Sequence, residues 1–195
     1  EVFEELAKRS GLTARVHVYI PITEVDMLAR LKLKSPFGGP YLKLAGLKAF
    51  MDGSLGSATA YFFEPYTDDP GTSGLLHGQM FPEGIMEKRI MEADRAGLQL
   101  AIHAIGDRAN SLLLDMYEKA VAANGPRDRR WRVEHAQHLR PADIARFVQR
   151  RTNGISRGSR RRVPTTMSAR VRSAHAISRG TSSGRCCPSA SRSAR

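Results

Sequence analysis

Residues 102–107 read Ile102-His103-Ala104-Ile105-Gly106-Asp107 and continue the run Leu98-Gln99-Leu100-Ala101. A strand that is apolar nearly throughout suits a parallel sheet covered on both faces, and this one ends on a residue able to ligate a metal. Two other stretches share the pattern. Upstream lies Leu47-Lys48-Ala49-Phe50-Met51-Asp52-Gly53, the end of an apolar run from Leu42; downstream, Trp131-Arg132 leads into Val133-Glu134-His135-Ala136-Gln137. His103 and His135 are 32 residues apart, the length of one strand–helix–strand unit. Lys48 and His103 are 55 apart, one such unit with a long loop added. A lysine and two histidines at successive strand ends fall where a (β/α)8 barrel carries its chemistry, at the C-terminal ends of its strands. The chemistry they suggest is metal-assisted hydrolysis.

The flanking pattern agrees with a strand–helix alternation. Residues 2–9 read as the end of a helix stopped at Gly11, and Thr13–Ile20 as a β-branched strand ended by Pro21. Ile22–Arg30 fits a short amphipathic helix. Pro82 opens a helix through Ala96 with Gly97 as its stop, Asp107 caps a helix to about Ala123, and Pro141–Phe147 begins another. This order predicts a parallel α/β fold. A closed barrel and an open doubly wound sheet both fit the pattern; no glycine-rich phosphate loop follows a strand, which lowers the dinucleotide-binding version. Residues 52–80 form a loop with five glycines, two prolines and the aromatics Tyr61, Phe62, Phe63 and Tyr66, and its length predicts a functional lid.

The net charge of +12 on 195 residues looks like a nucleic-acid signal until it is located. Residues 1–147 are balanced, with 19 Lys and Arg against 19 Asp and Glu; residues 148–195 hold 12 Arg, no Lys, no acid, and no Leu, Phe, Tyr or Trp. The expectation is therefore a globular domain over 1–147 and a disordered tail over 148–195, since the tail has too few large apolar residues for a core. Both cysteines, Cys186 and Cys187, are adjacent in that tail. A cysteine-free front part fits a reducing compartment, so the expected location is cytoplasmic. No apolar run reaches the roughly 18 residues of a membrane span. The chain opens on what reads as mid-helix without an initiator Met, as a piece of a longer protein would.

Each candidate residue has a plainer reading beside the chemical one. A lone strand-end histidine is more often a satisfied polar residue than a ligand; two at equivalent positions of consecutive units shift the balance to ligation. Lys48 inside an apolar strand should have a depressed pKa, or else snorkel its ammonium to the barrel mouth. Asp52 could cap its turn, orient Lys48 or contact substrate. Asp107 reads as a helix cap, and Glu134 should point to the face opposite His135. His77 and His138 lie in loops, His17 and His175 have no evident partner, and none of the four is read as a ligand.

With the motifs LKAFMDGSLGSATA (47–60), AIHAIGDRAN (101–110) and WRVEHAQ (131–137) together, residues 1–147 resemble the amidohydrolase superfamily, specifically its amidohydrolase 3 (YtcJ-like) group. The resemblance implies a metal-dependent hydrolase of amide and other C–N bonds on a TIM barrel, of which this chain would carry about strands 3–6. It implies Lys48, His103 and His135 as catalytic metal ligands, with Lys48 open to carboxylation; Asp52 stays a candidate substrate contact on the residue reading alone. The cofactor would be a divalent metal, zinc by preference, in one or two ions, and the partner a small amide-type molecule. A His-x-His pair would lie before Glu1 and a catalytic aspartate after Arg146. Past residue 147 the likeness stops, and the arginine-rich composition is what a frameshift near residues 147–152 of a GC-rich gene produces. The expected product is an incomplete, inactive hydrolase fragment. Two competing readings stand beside it: nonspecific nucleic-acid binding through the tail, and a Schiff-base lyase using Lys48.

Overall fold

Residues 1–149 and 153–155 are described by a computed structural model. After helix α1 (Val2–Lys8), strand β1 (Val16–Pro21) leads through a short 3-10 turn into α2 (Val25–Arg30). A two-residue strand β2 (Phe37–Gly38) precedes β3 (Leu42–Phe50). Then follow α3 (Ile85–Arg95), β4 (Leu100–Ala104), α4 (Asp107–Asn124), β5 (Arg132–His135), α5 (Pro141–Gln149) and β6 (Asn153–Ile155). The strands run in the order β1-β3-β4-β5-β6, every neighbouring pair parallel, with β2 antiparallel against β3.

This order resolves the alternative left open by the sequence. Apart from the small β2, each strand lies beside the next one in the chain, and among the described residues the winding nowhere reverses as a doubly wound sheet requires. The helices then share one face. Leu47, Ala49, Leu100, Ile102, Ala104 and Val133 are all fully buried there, in one cluster with Ile90, Leu113, Leu114 and Tyr117 from the helices. Successive helices pack on one another, α2 on α3, α3 on α4 and α4 on α5. The chain forms an arc of a (β/α)8 barrel.

The opposite face of the sheet is polar. Lys48 pairs with Ala101 and that in turn with Arg132; Phe50 pairs with His103, which pairs with Glu134. Residues paired across a parallel ladder share a face, so Lys48, Phe50, His103, Arg132 and Glu134 line what would be the barrel interior. Bulky branched side chains usually fill that space; here it carries charge.

Several expectations shift in detail. The helix expected from Pro82 begins at Ile85, because Gly84, in the left-handed region at φ 82°, is its N-cap. The boundary expected at residue 147 falls inside α5, and the sheet continues through β6. The expected disorder of the tail concerns residues that, apart from 148–149 and β6, lie outside those described. The loop after β3 is not a structureless lid. It is tied back by an Asp52–Leu76 bridge and by bonds such as His77 N to Met51 O (2.9 Å) and Phe62 N to Ser73 O (2.7 Å). Among the described residues no helix is long and apolar enough to cross a membrane.

Candidate metal centre

His103, the last residue but one of β4, is 8% exposed, its ring 4.6 Å from that of His135 in an edge-on arrangement. The strand pleat alone would not bring them together. His135 pairs with Ala104, whose side chain faces the helices, so a regular strand would turn the imidazole away from His103. The backbone departs from the strand here: His135 has φ 77° and Ala136 φ 42°. A left-handed conformation in a non-glycine residue is uncommon and collects at functional sites. Here its result is to aim His135 at His103. The same pleat puts Glu134 on the face opposite that of a regular His135, as expected; it shares that face with His103 and Lys48 and pairs with Arg132 at 2.7 Å.

The His103 ring is oriented by its other side. Nε2 lies 2.8 Å from the Gly53 carbonyl and 3.3 Å from Asp52 Oδ1. Donation from Nε2–H to these oxygens fixes the tautomer and leaves the Nδ1 lone pair for a ligand, the arrangement that metal-binding histidines adopt.

Asp52 is the knot behind this. Its buried carboxylate accepts from the backbone amides of Tyr61 (2.9 Å), Ile105 (3.0 Å) and Gly106 (2.8 Å). Gly106 is required at this junction, since a Cβ there would collide with the Tyr61 backbone. Of the three roles open to Asp52, its surroundings favour the one in the turn over the candidate substrate contact: it is a buried brace that joins the β3 and β4 ends to the loop. Asp107 likewise does not cap its helix. Gly106 is the N-cap, and Asp107 Oδ1 accepts from Phe63 N at 3.0 Å.

Lys48 reaches along the polar face. Its Nζ donates to the Ala49 carbonyl at 3.0 Å and sits 4.0 Å from the centre of the Phe50 ring. Burial lowers its pKa to about 8, with Glu134 working against that and Arg132 adding to it. Phe50 also touches His103, at 5.3 Å between centroids, so one aromatic ring connects the lysine to the histidine pair.

The same ring brings in a residue that the sequence set aside. His77 lies 5.3 Å from Phe50, its Nδ1 accepting from Gln79 N at 3.1 Å. No spacing rule marks it, because only the return of the loop onto β3 puts it there. His138 holds the β5 end instead, through its amide to the Ile105 carbonyl (3.0 Å) and its ring against Phe62 (5.1 Å).

Two imidazoles this close, one with its tautomer set by second-sphere acceptors, suit the donor chemistry of a divalent ion. Among the described residues no three His, Cys, Asp or Glu side chains converge on one point, so the histidine pair by itself does not make a complete metal site.

Comparison with known proteins gives the family. The profile of the amidohydrolase family matches residues 1–153. The Arabidopsis thaliana protein LONG AFTER FAR-RED 3 is 52% identical over 136 residues, 69% of this chain and 23% of its own length. The amidohydrolase-type protein YtcJ of Bacillus subtilis is 35% identical over 139 residues, 71% of this chain and 25% of its own. The crystal structure of an uncharacterized metal-dependent hydrolase from Pyrococcus furiosus superposes with a TM-score of 0.66 at 35% identity, covering 78% of this chain and 30% of that one. The chain thus spans about a quarter to a third of the proteins it matches. Strand-end lysine and histidines, a singly wound parallel sheet and a profile running over residues 1–153 lead to one conclusion: the chain belongs to the amidohydrolase family.

Proposed function

We propose that the protein to which this chain belongs is a metal-dependent hydrolase that cleaves a carbon–nitrogen bond of the non-peptide amide kind in a small molecule. The observation that carries the proposal is the meeting of His103 and His135 through a left-handed backbone at the β5 end. A divalent ion held by that pair, zinc being the best match to imidazole donors, would supply Lewis-acid polarisation and water activation. The rest of the chemistry belongs to the chain itself. His103 presents Nδ1 because Gly53 and Asp52 occupy Nε2.

Lys48, with its pKa near 8, holds a neutral fraction at mild pH that a solvated lysine lacks. Its amine can add to carbon dioxide, losing a proton and becoming a carbamate with two oxygen donors. The two imidazoles and that carbamate make three ligands; the others come from outside the described residues. The lowered amine also suits a Schiff-base lyase, and the test separates the two.

The test is zinc titration of the purified chain by calorimetry, with hydrolysis of N-acyl substrates followed in parallel and borohydride trapping as a control. Zinc uptake that weakens at least tenfold in His103→Asn and in His135→Asn supports the hydrolase. A borohydride-trapped adduct on Lys48, with no zinc uptake, rejects it for the lyase.

A further inference from the structure

We infer that Arg108 recognises a carboxylate carried by the substrate, an inference that rests on the hydrolase reading and names the substrate class. Arg108 is the second residue of α4, five residues past His103, and its side chain is half-buried. The guanidinium lies over two aromatic rings of the loop, 4.7 Å from the centre of Tyr61 and 5.6 Å from that of Phe63.

The contrast with its neighbours is informative. Arg140 sits over the other part of the Phe63 environment, 4.2 Å from the ring centre, but its charge is met by Asp143 at 3.0 Å. Arg132 and Arg146 are paired with Glu134 and with Asp115, Glu118 and Asp143. Among the described residues, no carboxylate lies within ion-pair distance of Arg108. The adjacent Asp107 turns one oxygen to the Phe63 amide instead.

Electrostatics make the arrangement adverse by itself. A cation in the first turn of an 18-residue helix sits at the positive end of the helix dipole. Ring faces hold the guanidinium in place without using its N–H donors. Five donors in a fixed fork match the two oxygens of a carboxylate. An incoming anion would relieve both the charge and the unmatched donors.

Position links this cation to the catalytic end of the sheet. Tyr61, which carries it, bonds Asp52 through its amide, and its carbonyl accepts from Ala109 N at 3.2 Å. Asp52 in turn holds His103. Platform and candidate ligand are therefore braced by one carboxylate. Phe63, 40% exposed, leaves an apolar surface beside the charge for the organic part of the substrate. The substrate class that fits is an N-acyl compound with a free carboxylate.

The experiment compares binding of N-acetylphenylalanine with that of its neutral amide, N-acetylphenylalaninamide, to the full chain by calorimetry. The carboxylate should bind about tenfold or more tightly, the range of a charge-assisted hydrogen bond. Arg108→Gln should bring the two affinities together, and Arg108→Lys should leave an intermediate preference because it keeps charge and loses the fork. If Arg108→Gln fails to fold, the Arg108→Lys comparison decides. Equal affinity for both compounds in the unmodified chain, or a preference unchanged in the variants, overturns the inference. So does inorganic phosphate competing as well as the carboxylate, which marks a general anion site. Discrimination that persists in a chain whose zinc uptake is unchanged by His103→Asn and His135→Asn supports Arg108 and counts against the hydrolase reading alone.

Discussion

Asp52 accepts three backbone amides and lies beside the His103 ring while only 1% exposed. Removing a buried acceptor leaves its donors unsatisfied, at about 1–3 kcal/mol each. Asp52→Ala should therefore lower stability by about 3 kcal/mol or more. Asp52→Asn, which keeps one oxygen, should lose less; urea unfolding of both variants measures the difference. From the sequence, Asp52 was one carboxylate with three possible roles. Burial and the converging amides of Tyr61, Ile105 and Gly106 selected among them. His135 is the second residue-scale case. Its place in Val133-Glu134-His135 marks it as a strand-end histidine, but strand periodicity aims it away from His103, and only the positive φ reverses that.

At the scale of elements, α4 and α5 are joined through Asp143. The carboxylate accepts from Ser111 of α4, from Arg140 (3.0 Å) and from Arg146 (3.0 Å), and Arg146 also reaches Glu118 of α4 at 2.9 Å. Burial alone would raise the Asp143 pKa, but the hydrogen bonds from Arg140, Ser111 and Arg146 outweigh it and hold the carboxyl below its ordinary 3.8. A carboxyl whose pKa falls on folding stabilises the folded state above the unfolded value, and that contribution is lost as pH drops through the folded one. Asp143→Asn should cost about 2 kcal/mol at neutral pH. The gap to the unmodified chain should hold down to the ordinary carboxyl range and narrow in stronger acid, as thermal unfolding over a pH series would show; a gap that widens in acid contradicts the assignment. The elements themselves were readable because strands and helices bury opposite patterns of apolar residues. The loop after β3 was not, since its bridge to Asp52 and its contact through His77 join residues far apart in sequence.

At the scale of the whole molecule, the described residues form one apolar core between the sheet and a layer of helices. Ile102 is fully buried at its centre, and Ile102→Ala should cost about 2–5 kcal/mol in denaturant unfolding. A change below 1 kcal/mol would mean that the core is not packed as described. The sequence by itself determined the parallel α/β class, the strands read as ending at Phe50, His103 and His135, and the family resemblance that the comparisons bear out, because apolar periodicity and local motifs are properties of neighbouring residues. Tertiary structure alone decided that the sheet is singly wound, that Asp52 braces rather than protrudes, and that His135 turns toward His103. It also set Arg108 on two rings with no acid within ion-pair distance among the described residues. These are facts of strand order, of backbone forced into the left-handed region and of burial, and each depends on segments that meet only when the chain folds.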